Sequence, residues 1–304
     1  MTFRLSRRAL GVMTIAMAGA AVPGVGFAQS ASFVHPSLLV EPDELLAIVP
    51  PVAATLGGAR AEGLVLVDVR TREEYETAHI PGAAHLEPDA VATDASPVTG
   101  ALKGIAALEE LLGSIGVRPD RRIVFYDDKG GFHAARMLWL LEYLGHRNVA
   151  VLHGGWSAWL DADGRTTTLE EPVKPELFQA APSPRRYASA ELVLLQRDAT
   201  NAVLIDVRPQ HMYADGHIPW AINIPWSENL REDERFRPAD ELLIHFADYG
   251  VTPRSDIIVH CQVGLASAHS YLALRLLGFP RVRVYHRSWE EWSNDPDLPK
   301  IKGA

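Results

Sequence analysis

LVLVDVRTREEYETAHIPGAAHL, residues Leu64–Leu86, returns as AVLIDVRPQHMYADGHIPWAINI, residues Ala202–Ile224. Asp68 matches Asp206 and His79 matches His217, each at an offset of 138. Farther on, RIVFYD (Arg122–Asp127) matches DIIVHC (Asp256–Cys261) at an offset of 134, so the first copy holds four more residues in its middle. Two matches in the same order at similar spacing mark an internal duplication.

Each copy alternates strand and helix. Leu64–Val67, Val203–Ile205, Ile123–Tyr126 and Ile257–His260 are short apolar runs of the kind that form buried parallel strands. Ala134–Leu144 and Ala266–Leu277 carry helical periodicity, and Gly145 and Gly278 stand where a helix would stop. Asn148–Leu152 and Val282–Tyr285 read as further strands. The alternation predicts an α/β fold, two tandem domains each with a parallel sheet flanked by helices. Residues 33–160 and 185–300 are the expected domains. Residues 161–184, rich in Thr, Glu and Pro, are the expected linker.

The chain of 304 residues is 47% hydrophobic with a net charge of −9, which suits buried cores and argues against non-specific nucleic-acid binding. Its start reads as an export signal. Arg7-Arg8 forms a twin-arginine pattern, a weakly apolar run covers Ala9–Val22, and Gly26-Phe27-Ala28 is a small-residue cleavage site. That run is shorter than the roughly 20 residues a membrane span needs. Removing residues 1–28 takes away three arginines and no acid, bringing the charge to −12. The expectation is a periplasmic protein with no membrane attachment after cleavage.

The single cysteine, Cys261, cannot form an internal disulfide. In an oxidising compartment a lone cysteine is either a buried bystander or a thiol with a task. Parallel sheets hold ligands at the carboxyl ends of their strands, and Cys261 follows such a strand. The loop Cys261-Gln262-Val263-Gly264-Leu265-Ala266-Ser267 then leads into a helix. Backbone N–H groups and the helix dipole at such a turn favour an anionic sulfur, and Gly264 permits the tight backbone.

The repeated Asp-Val-Arg, the His-Ile-Pro segments and the Cys-x-x-Gly-x-x-Ser loop resemble the rhodanese family. So do Gly154-Gly155-Trp156-Ser157-Ala158-Trp159 and Ser288-Trp289-Glu290-Glu291-Trp292-Ser293, each after the last strand of its domain. The resemblance implies a sulfurtransferase without cofactor or metal. Cys261 would take a sulfane sulfur from thiosulfate or 3-mercaptopyruvate as a persulfide and pass it to a thiol or cyanide, with a protein acceptor also open. It implies an inactive first domain with Asp127 at the cysteine position, and donor contacts from residues 262–267 and Arg208.

Four positions depart from the family pattern. Gln262 and Val263 stand where thiosulfate enzymes carry two basic residues. Val263 and Ala266 replace residues typical of mercaptopyruvate enzymes. Met212 takes the place of a substrate-binding arginine. The alternative is a persulfide carrier without fast turnover. A phosphatase of the same fold is disfavoured, because Ser267 occupies the place of the arginine that grips phosphate. The buried pair expected of Asp206 and Arg208 is assigned chiefly a structural role, as are His79 and His217. His260, one residue before the cysteine on the strand, is expected to face away from the sulfur.

Overall fold

The computed structural model describes residues 32–49 and 63–303. The export signal read at residues 1–28 lies outside them. In the first half, β1 (Leu39–Val40), β2 (Leu64–Asp68), β3 (Ala84–His85), β4 (Arg122–Tyr126) and β5 (Val149–Leu152) form a parallel sheet in the order β1-β5-β4-β2-β3. In the second half, β6 (Tyr187–Ala188), β7 (Ala202–Asp206), β8 (Ala221–Asn223), β9 (Asp256–His260) and β10 (Val282–Tyr285) repeat it as β6-β10-β9-β7-β8. The duplication in sequence is thus a duplication of topology.

Each Asp-x-Arg motif fastens a strand end in the same way. Arg70 holds Asp68 through Nε at 3.0 Å and Nη2 at 2.6 Å, and Arg208 holds Asp206 at the same two distances. Each guanidinium also donates to a carbonyl eight residues on, Ala78 or Gly216, and lies over a tryptophan, Trp156 or Trp289. His79 and His217 stack on Tyr75 and Tyr213 and bond to those residues' carbonyls. These six polar residues, three in each half, brace the turns that follow β2 and β7.

The two halves share one core. Helices Phe132–Tyr143 and Ala266–Leu276 pack on each other, and each is buried along nearly its whole length. A helix buried all round belongs to the interior of a large core, and one apolar cluster runs from Leu108 and Leu138 to Leu272 and Phe279. Residues 162–186 contain no helix or strand, yet they are not a free tether. The N–H groups of Glu176 and Ala180 bond to Gly113 and Glu109, and Phe178 enters the core.

One charge cluster crosses this seam. Glu142 of the first half accepts hydrogen bonds from Tyr271 and from Arg275, whose Nη2 lies 3.0 Å from Oε1, while Arg186 stands 3.9 Å away. Burial works against the Glu142 charge, but Arg275 and Arg186 outweigh it and hold the carboxyl below its ordinary 4.5. A carboxyl lowered in the folded state stabilises the fold fully above its unfolded value. The contribution is lost as pH falls through the folded value. We therefore expect Glu142→Gln to cost about 2 kcal/mol at neutral pH, by leaving two half-buried cations without their acid. It should also flatten the loss of stability in acid. Urea midpoints of both proteins at neutral and acid pH check this, and parallel acid curves would contradict it.

Candidate active site

Cys261 is the first residue beyond β9, and only 3% of it is exposed. The loop turns back at once, bringing the Gly264 N–H to 3.1 Å from Sγ. Gly264 has φ +84°, and a Cβ there would fall 2.1 Å from the His286 carbonyl oxygen, so only glycine fits. Ser267, in the first turn of the following helix, places Oγ 3.7 Å from Sγ. Ser288 Oγ lies at 3.9 Å and accepts the Cys261 N–H at 3.1 Å.

Ser288 is fully buried and sits at φ +54°, a conformation that side chains other than glycine rarely adopt. Its counterpart in the first half is Gly155, at φ +57°. Backbone strain of this kind costs about 1 kcal/mol or more and persists where the surroundings impose it. Here the hydroxyl that holds the cysteine backbone accompanies the strain. The sequence motif around Ser288 was legible, but this role was not, because positive φ leaves no trace in a serine.

The remaining residues singled out in the sequence divide into two groups. Gly264 and Ser267 converge on the sulfur with Cys261. Gln262 turns away, its Oε1 accepting from Arg208 Nη1 at 3.2 Å and its carbonyl accepting from Glu290 N–H. Arg208, almost wholly buried, spends its other nitrogens on Asp206 and Gly216 and meets the loop only through Gln262. Val263 presents its carbonyl and Leu265 its side chain to Gly100 of the first half. Ala266 opens the helix. His260 lies 3.7 Å from Asp206, away from the sulfur as strand alternation required.

A strap from the first half closes the site. The Thr99 N–H and hydroxyl bond to the Glu290 carboxylate at 2.6 and 3.0 Å. The Gly100 carbonyl oxygen lies 2.9 Å from His286 Nε2 and 3.0 Å from Arg136 Nη2. Burial, reinforced by the Arg136 charge, lowers His286 to about 3, so it is neutral near pH 7 and donates to Gly100 through Nε2. Arg136, fully buried on the helix Phe132–Tyr143, is a cation beside this loop that no motif announced.

The equivalent turn of the first half shows what this geometry binds. Asp127 occupies the cysteine position, and its carboxylate accepts four backbone N–H groups. Lys129 and Gly131 donate to Oδ1 at 3.0 and 2.9 Å, and His133 and Ala134 to Oδ2 at 2.7 and 2.9 Å. The strand–loop–helix turn is an anion cradle, and in this half the chain's own carboxylate fills it.

The description "Rhodanese-like domain" matches residues 53–162 and again 189–295. The thiosulfate sulfurtransferase of Pseudomonas aeruginosa is 34% identical over 275 residues, covering 86% of this chain and 96% of the relative. The sulfur carrier protein TtuD of Thermus thermophilus is 32% identical over 252 residues, covering 75% of this chain and 87% of the relative. A crystal structure of an Escherichia coli 3-mercaptopyruvate sulfotransferase superposes with a TM-score of 0.72 at 29% identity, over 83% of this chain and 99% of that one.

Asp127→Ala should leave the four amides of the first cradle without their acceptor. The expected loss is about 3 kcal/mol of stability. Sulfur loading per folded molecule should be unchanged, because the first half holds no cysteine. Denaturant melts paired with mass spectrometry of the folded fraction test both halves of this statement.

Proposed function

Since the chain belongs to the rhodanese family and is a sulfurtransferase of that class, we propose that the transferred sulfur travels on Cys261 as a persulfide. The observation that carries this reading is the paired cradle. The turn that seats the Asp127 carboxylate on four N–H groups recurs at Cys261, where Gly264 N–H already points at Sγ. A persulfide's terminal sulfur is anionic and extends from Sγ into that turn. Backbone amides cannot titrate and need no reorganisation when the charge arrives.

In the first half-reaction the Cys261 thiolate attacks the outer sulfur of thiosulfate. The sulfur–sulfur bond of the donor breaks, and its electron pair leaves on sulfite. With 3-mercaptopyruvate the carbon–sulfur bond breaks instead. Its pair leaves as the enolate of pyruvate, which takes up the thiol proton. In the second half-reaction an acceptor thiolate or cyanide attacks the terminal sulfur, and the bonding pair returns to the Cys261 thiolate. The loop supplies Gly264 and Ser267 to hold the sulfur, while residues 262–266 supply backbone dipoles toward the donor. Arg208 acts by fixing Gln262. A protein thiol is a natural acceptor class, since one relative is a sulfur carrier protein.

Incubation with thiosulfate, and separately with 3-mercaptopyruvate, should add one sulfur to the Cys261 peptide, as read by mass spectrometry. Cys261→Ser should abolish that gain and all turnover, because a hydroxyl cannot form a persulfide. Turnover retained in Cys261→Ser would refute the mechanism.

We further propose that residues 1–28 direct export to the periplasm through twin-arginine recognition. Arg7→Lys with Arg8→Lys keeps the charge but removes the guanidinium pair. The double variant should therefore stay in the cytoplasm when fractions are blotted, and normal export would argue for the general secretory route.

A further inference from the structure

We propose that Arg136 is the counter-ion of the anionic sulfur on Cys261, which makes the half without a nucleophile an electrostatic partner of the half that has one. This rests on the persulfide reading, and it assigns Arg136 as a positioning residue.

The argument begins with an imbalance. Arg136 has no exposed surface, yet among the described residues its only ion-pair acid is Asp89, at 3.4 Å and with a side chain 81% exposed. Water screens that partner. The other acceptors are two neutral carbonyls, Pro88 O at 3.1 Å from Nη1 and Gly100 O at 3.0 Å from Nη2. Nε is buried with no hydrogen-bond partner. Burial weakens the guanidinium's hold on its proton, but an arginine keeps its charge in proteins. A buried cation without a tight anion is expensive unless one arrives.

Chemistry creates such an anion next door. Gly100 stands between Arg136 and the cysteine loop. From the position of a Cβ on Gly100, Arg136 Nη2 is 3.6 Å away, the Val263 carbonyl oxygen 3.1 Å and the Leu265 side chain 3.7 Å. With Arg136 and Cys261 both buried and only Gly100 and the cysteine loop between them, their charges feel each other. The thiolate, and after loading the persulfide, supply the negative charge that Arg136 lacks. The same placement meets the shortage of cations in the loop, where Gln262 and Val263 are neutral. It also offers positive potential to a dianionic donor.

A purely structural Arg136, tying residues 88–100 to the seam, would affect stability alone. The test therefore reads charge. Cys261 is the only cysteine, so alkylation by iodoacetamide reports on it without ambiguity. Rates are to be measured across about pH 6 to 10, the range bracketing an ordinary thiol. In Arg136→Met the rate near neutral pH should fall on the order of tenfold and converge with the native rate at high pH. Arg136→Lys should recover most of it. Thiosulfate loading should fall in step, and added salt should not reproduce the loss, because the site is dry.

A folded Arg136→Met protein with the native alkylation profile overturns the proposal. If that variant does not fold, Arg136→Gln decides by the same profile. Slower alkylation near neutral pH that converges with the native rate at high pH supports the assignment, and a native profile overturns it. Alkylation needs no sulfur donor. A native protein that gains no sulfur from any donor would defeat the persulfide reading while leaving this measurement able to stand or fall by itself.

Discussion

The seam between the helices Phe132–Tyr143 and Ala266–Leu276 is the constraint from which the rest follows. Both helices are buried along nearly all their length, so water cannot settle any polar group placed there. Each charge in the seam must find its partner in the protein, and the two halves must meet in one register for that to happen. Glu142 finds Arg275, Tyr271 and Arg186 across the interface. That cluster fixes the ends of the two helices, and the other ends are thereby set at the two cradles.

Register at the cradle end decides chemistry. The Cys261 loop leads directly into the second seam helix, and Arg136 stands one turn into the first. A slip of either helix would separate Arg136, Gly100 and Val263, and with them the strap that buries the sulfur. Burial of Cys261 matters because backbone dipoles and a guanidinium act strongly only where water is excluded. The braces Asp206–Arg208 and His217–Tyr213 serve the same end from below, holding the end of β7 beside β9 so that the loop rests on a rigid floor.

Most of the fold was legible in the sequence, and the reason is repetition. Strands such as Ile257–His260 and Val282–Tyr285 fall within a residue of their expected bounds, because a duplicated pattern offers two independent readings of each element. The short edge strands β1, β3, β6 and β8, two or three residues each, carry no periodicity to read and depend on the neighbour they pair with. At the site, Cys261, Gly264 and Ser267 were found because they share one loop. Arg136, Gly100 and Ser288 were not. Arg136 sits in an ordinary helical pattern 125 residues before the cysteine, Gly100 lies in a segment without regular structure, and the importance of Ser288 lies in its backbone angle. Proximity created by tertiary packing leaves no local mark on sequence.

The duplication also explains a division of labour that neither copy could reach alone. A cradle with no carboxylate of its own forgoes the charge-assisted hydrogen bonds that would fasten it, at a cost to the fold. The first half avoids that penalty by filling its cradle with Asp127, whose four hydrogen bonds make it a fixed and stable unit. From that rigid base the helix carrying Arg136 starts, and the strap from Thr93 to Gly100 is held against the second half by Glu290 and His286. The second half can then keep a glycine-turned, partly unsatisfied loop around Cys261. The same turn thus serves two ends: in the first half it is closed on the chain's own carboxylate, and in the second it is kept for Cys261.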